Sequence, residues 1–168
     1  DPVCLEAEWA AKLTSPMQAG GPEQGNPGPK WKAAEGASGN AYVEVPDGKG
    51  KPPDVQPGMA VYSIDVEQAG KYILWCRVWW ADECGNSLTL SLDDNPHFTF
   101  GQDATYKTWH WVKALTTLKQ LTLDAGPHTL TVLHREDGVR IDQILLTRSR
   151  RYVPVGIEDT TVPPPAQK

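Results

Sequence analysis

The residues of this 168-residue chain best suited to chemistry are two carboxylate pairs, Asp82-Glu83 and Glu136-Asp137. Glycoside hydrolysis needs two carboxyl groups facing each other across a sugar, about 5–9 Å apart. Neighbours in one exposed loop do not reach that geometry, although one acid from each loop could. The four histidines, His97, His110, His128 and His134, show no metal-ligand spacing. His110 and His128 fall on expected strands, where a hydrogen-bonded or solvent-facing role is the simpler reading. Cys4, Cys76 and Cys84 neither pair off evenly nor take zinc spacing. Cys76 reads as a small buried apolar group in mid-strand, while Cys4 and Cys84 could form one disulfide in an exported protein. No Gly-x-Ser-x-Gly elbow, phosphate-cradling glycine loop or His-Glu-x-x-His is present. No catalytic machinery is therefore expected, which leaves binding.

Such residues would have to be positioned by strands. Residues 60–66 alternate, with Ala60, Tyr62, Ile64 and Val66 facing one way and Val61, Ser63 and Asp65 the other. Residues 71–80 form an apolar run suited to a strand covered on both faces. In 86–92 the leucines Leu88, Leu90 and Leu92 point inward. Further short strands are expected at 3–9, 41–45, 97–100, 109–114, 120–123, 128–134 and 139–147. In the first, Cys4, Glu6 and Glu8 share one face. Residues 15–38 and 46–57, rich in Gly and Pro, read as loops. Short strands separated by turn signals mean a sandwich or barrel. Residues 1–155 are expected as a single domain and 156–168 as a tail or linker.

The totals agree. Fifteen Gly and 15 Pro argue for many turns, and 39% apolar residues suffice for a core. A net charge of −5 argues against nucleic acid, since the only basic run is Arg148, Arg150 and Arg151. No apolar stretch approaches the ~20 residues of a membrane span. A start at Asp1-Pro2 without Met is what a mature exported chain or an excised domain would show.

Several segments then follow in a telling order: Glu6-Ala7-Glu8, residues 38–43 (SGNAYV), 70–78 (GKYILWCRV), 106–109 (YKTW), 123–130 (LDAGPHTL) and 139–144 (VRIDQI). The series resembles carbohydrate-binding modules of families six and thirty-five, with a galactose-binding-like jelly roll, over residues 5–147. The resemblance implies an all-β sandwich of two antiparallel sheets, outside the cytoplasm: extracellular, at the cell surface or periplasmic. It implies a structural Ca2+ held by Glu6, Glu8 and Asp142 with loop carbonyls. Three converging carboxylates would repel unless a hard cation took their oxygens. The alternative leaves the glutamates in water and Asp142 paired with an arginine.

The resemblance also implies that a polysaccharide or oligosaccharide binds in loops at one end of the sandwich, on Tyr42, Tyr106 and Arg140. Tyr106 stands where the family usually has Trp, and Arg140 where it has Asn. Arginine there would favour an acidic or sulfated sugar, or else would pair with Glu136 or Asp137. Tyr42 could instead be core. Trp79 and Trp80 face opposite sides of their strand, so one belongs to the core and the other, taken as Trp80, could be a sugar platform. Trp31 is a loop plug or a contact, while Trp109 and Trp111 read as core. Other expected partners are attached domains or subunits of a surface assembly. The second reading of the chain is such a subunit, with the same fold binding protein; a small glycan-acting enzyme is third.

Overall fold

The computed structural model describes residues 2–21, 36–114 and 121–166. Trp31 lies outside them. The described residues form twelve strands in two antiparallel sheets, with only short 3-10 turns besides. The expected sandwich is what is found.

The larger sheet runs β10 (Leu121–Leu123), β6 (Gly70–Trp80), β12 (Val139–Thr147), β4 (Tyr42–Val45), β3 (Gln18–Gly20). Strand β1 (Val3–Glu6) also pairs with β12, and β9 (His110–Ala114) with β6. The smaller sheet runs β2 (Lys12–Thr14), β5 (Met59–Val66), β11 (Gly126–Leu133), β7 (Ser87–Leu92), β8 (Phe98–Gly101).

Alternation places the core between the sheets. Even-numbered residues of β6 (Tyr72, Leu74, Cys76, Val78 and Trp80) point inward, to meet Tyr62, Ile64, Leu88, Leu90 and Leu130 of the smaller sheet. Odd-numbered ones, Trp75, Arg77 and Trp79, go to the outer face, which is therefore also largely covered rather than bathed in water. Cys76 is 0% exposed, as a buried apolar group should be.

Three local expectations change. The first strand stops at Glu6, and Ala7–Trp9 is a 3-10 turn, so Glu6 and Glu8 do not share a strand face. Strand β3 lies inside the expected loop 15–38, because pairing with β4 substitutes for any periodic signal of its own. Residues 156–166, expected as a tail or linker, fold back on the sandwich. Trp111 Nε1 donates to the Gly156 carbonyl (2.8 Å), the Glu158 amide to Gln143 Oε1 (2.9 Å), and the Thr161 amide to the Cys4 carbonyl (2.9 Å). All three cysteines are free: Cys4 is buried in β1, its thiol pushed up to about 12 by burial, whereas Cys84 is exposed.

Near the start of β11, the central strand of the smaller sheet, His128 Nδ1 lies 2.7 Å from Asp93 Oδ2, and its Nε2 lies 2.8 Å from the Asp124 carbonyl. Burial pulls the His128 pKa down, but the hydrogen bonds to Asp93 and Asp124 and their charges outweigh it, so it is raised. Burial likewise opposes ionisation of Asp93, and the bonds from His128 and the Thr129 amide turn the net shift downward. The histidine contribution is present below its unfolded value near 6.5 and fades as pH rises through the raised folded value. The aspartate contribution is present above its unfolded value near 3.8 and fades as pH falls through the lowered one. His128→Gln should thus lower the melting temperature at about pH 5.5 and leave it unchanged at about pH 9. The Asp93 side chain is 39% exposed, so the effect is only a few tenths of a kcal/mol. A destabilisation equal at both pH values would show that packing, not the ion pair, is what the substitution removes.

Candidate functional site

Strand β12 uses one edge for two partners. Val139, Arg140 and Ile141 pair with β4, while Gln143 to Leu146 pair with β1. Between them lies an irregularity in the pairing with β6, from Ile141 to Gln143. Such a bulge re-aims side chains. Here Ile141 and Ile144 both reach the core, and the pair between them faces outward. Asp142 and Gln143 therefore meet Glu6, where β1 peels away, and the turn Ser38–Asn40 that leads into β4.

The acids expected to hold an ion gather at this seam. Asp142, 0% exposed, is ion-paired with Arg77 and accepts the Ser38 amide on Oδ1 (2.9 Å). Arg77 also donates to the Gly36 carbonyl (2.9 Å). Glu6 Oε1 accepts from Ser38 Oγ (2.7 Å) and Gln143 Nε2 (3.2 Å). Burial raises the pKa of both Glu8 and Asp142 to about 7, with the charge of Glu6 adding to the effect. Glu6 Oε2 and Glu8 Oε2 are buried without a hydrogen-bond partner. Buried carboxylate oxygens left in that state are costly unless a cation takes them. Among the described residues no three His, Cys, Asp or Glu side chains are grouped to hold a metal by themselves. The donors left over for an ion are thus the two orphaned glutamate oxygens. Asp142 faces its arginine.

The second group lies further along the outer face, in register across strands. Arg140 of β12 stands between Glu44 of β4 and Trp79 of β6. Its Nε donates to Glu44 Oε2 (3.1 Å), and its guanidinium lies 4.2 Å from the Trp79 ring centroid and 5.3 Å from that of Tyr42. Tyr42 tilts against Trp109 at 5.7 Å, and Arg77 lies 5.5 Å over Trp109. Tyr42 can lie flat because Gly20 is its neighbour on β3; a Cβ there would stand 2.4 Å from Tyr42 Cε2.

The structure thus joins Tyr42 to Arg140, but as packed residues, 2% and 9% exposed. Arg140 pairs with neither Glu136 nor Asp137. Those acids are used elsewhere: Glu136 accepts from the Asn86 amide (3.2 Å) and Asp137 from the Gly50 amide (2.8 Å). Trp80 offers a sugar no face. It is 0% exposed, its even position on β6 turning it into the core, and it is Trp79 that faces outward. Trp109 and Trp111, expected in the core, are half-buried on the outer side instead. Tyr106 is 37% exposed, on the loop between β8 and β9. That loop runs along the end of β6, the Lys107 amide donating to the Trp80 carbonyl (2.8 Å).

Sequence reading missed Arg77 and Glu44. Each is a charged residue alternating with apolar ones in a strand covered on both faces, a pattern that announces a buried ion pair once the cover is known.

Comparison with solved structures gives this arrangement its relatives. The chain matches a family 35 carbohydrate-binding module from Clostridium thermocellum over 89% of its length and 99% of that chain, with a TM-score of 0.62 and 14% identity. Its fold is that of a carbohydrate-binding module. The Cellvibrio mixtus module from lichenase 5A, solved with cellotriose, matches over 88% of this chain and 98% of its own, with a TM-score of 0.56 and 17% identity. A Podospora anserina GH26-CBM35 β-(1,4)-mannanase matches over 91% of this chain, at 23% identity and a TM-score of 0.63. The module fold spans 29% of that enzyme's length. No family model matches the sequence, and no curated protein does.

Proposed function

We propose that this chain is a non-catalytic carbohydrate-binding module whose ligand is a neutral polysaccharide or oligosaccharide. The observation that carries the reading is Tyr106, an exposed aromatic on a loop anchored beside an outer-face cluster of Trp109, Tyr42 and Trp79. Sugar C–H faces pack on such rings, and the hydroxyls are matched by polar groups around them. Neutral ligands are favoured over acidic ones because the Arg140 charge already faces Glu44 and the chain carries −5 overall. Two of the structural neighbours are a β-(1,4)-mannanase and a module solved with cellotriose, which supports β-linked neutral chains as the first to try. Such polymers lie outside cells, so the exported setting belongs to the same reading.

A calcium ion completes it. Glu6 and Glu8 would hold the ion through their orphaned oxygens. Glu6, Glu8 and Asp142 against Arg77 alone leave two negative charges when all are ionised, which a divalent cation would cancel. Oxygen donors from carboxylates and carbonyls suit calcium rather than a softer metal.

A second reading, a subunit of a surface assembly that binds protein, is favoured by one feature. Val153, Val155 and Ile157 alternate along the chain that follows β12 and are 63%, 79% and 53% exposed.

Titration with mannohexaose, cellohexaose and laminarihexaose separates the readings. Tyr106→Ala should cost about 1–2 kcal/mol of binding, roughly tenfold in affinity, without changing the melting temperature. Equal binding by the variant would remove Tyr106 from the site.

A further inference from the structure

The geometry points to Asp103 as a positioning residue that holds the Tyr106 loop ready for its ligand, with buried Trp80 as its strut. This rests on the reading that Tyr106 meets the sugar. One carboxylate gathers the whole connection between β8 and β9. Its Oδ2 accepts from Trp80 Nε1 (3.1 Å), and its Oδ1 from the Thr105 amide (2.9 Å). His110 Nε2 lies 3.1 Å from both oxygens. The Asp103 carbonyl accepts from Asn86 Nδ2 (3.1 Å), and the Gln102 amide donates to the Asn86 carbonyl (2.7 Å).

These bonds tie both ends of the loop to groups that cannot move. Trp80 is fully buried, and its ring meets His110 edge-on at 6.2 Å. The loop also needs holding. Gln102 and Lys107, neither a glycine, sit at φ 65° and 56°. Left-handed backbone at ordinary residues persists only where surrounding contacts enforce it. Tyr106 directly precedes one of them, so the direction of its ring depends on that conformation. Asp103 makes no contact with Tyr106 in the hydrogen bonds above; it acts through the backbone between them. A ligand then meets a ring already fixed, rather than one whose ordering it must bring about.

A double-mutant cycle tests this. Binding of mannohexaose, cellohexaose and laminarihexaose is measured for the whole chain, Asp103→Ala, Tyr106→Ala and the double variant. Losing the position of a ring cannot cost more than losing the ring, so Asp103→Ala should weaken binding between about three- and tenfold. In the Tyr106→Ala background it should have no further effect. Amide exchange at Thr105 and Lys107 should quicken by about tenfold or more while β6 and β12 keep their protection. Should Asp103→Ala fail to fold, His110→Gln removes one partner of the carboxylate and is read in the same cycle.

An equal loss in both backgrounds would overturn the proposal, since Asp103 would then act on the fold. Wild-type binding by Asp103→Ala beside a weakened Tyr106→Ala would overturn it while leaving the sugar site intact. Unchanged loop exchange would overturn it whether or not any of the sugars binds. If Tyr106→Ala binds as wild type, the site reading fails, and the positioning role fails with it.

Discussion

Arg77→Ala should destabilise the protein by about 3–5 kcal/mol, lowering the melting temperature by roughly 10 °C. The Arg77 and Asp142 side chains are 8% and 0% exposed, so neither charge can turn to water for compensation. Removing the guanidinium leaves Asp142 beside Glu6 with the opposing charge gone, and frees the Gly36 carbonyl of its donor. Breaking a buried pair from one side is costly because the surviving charge stays desolvated. Replacing both partners with apolar residues of similar volume, as in Arg77→Met with Asp142→Leu, should recover much of the loss. Denaturant unfolding in calcium decides the matter: a loss under about 1 kcal/mol for Arg77→Ala would mean that the pair carries little.

Calcium should produce the next largest effect. An ion bound only by the native state stabilises it by about 2.7 kcal/mol at a concentration a hundred times its dissociation constant. For a domain of this size that corresponds to roughly 5–10 °C between calcium-saturated and chelated protein. Glu8→Gln should abolish most of that difference, because it neutralises one of the two orphaned oxygens. Magnesium should restore little of it, as a site rich in protein oxygens suits the larger ion. Identical melting curves in calcium and in chelator, with no ion bound by elemental analysis, would remove the metal from the account.

Much of the fold was legible because alternation survives tertiary packing. Ala60, Tyr62, Ile64, Val66, Leu88, Leu90 and Leu92 all reached the core that their spacing announced. What could not be read was set by pairing partners. Three-residue strands such as β2 and β3 have too few residues to show a period, and exist because β5 and β4 offer them an edge. The bulge at Asp142 is written in the sequence as Ile141 and Ile144, apolar residues three apart in a strand of period two. Its consequence for Gln143 follows only when β1 and β4 are seen to share an edge. The site suffered from the same limit. Arg140 resembled a ligand contact because Glu44 lies 96 residues away in sequence. Trp80 and Trp79 could be set on opposite faces by rule, but which face was the inner one was decided by the whole sheet.

The most direct test is affinity electrophoresis in native gels containing galactomannan, hydroxyethyl cellulose, laminarin or polygalacturonate. Wild type, Tyr106→Ala and a non-binding control protein run side by side, with calcium present. The account predicts retardation of the wild type by at least one of the three neutral polymers, none by polygalacturonate, and loss of the retardation in Tyr106→Ala. Free migration in all three neutral gels, or retardation that Tyr106→Ala leaves intact, would contradict it.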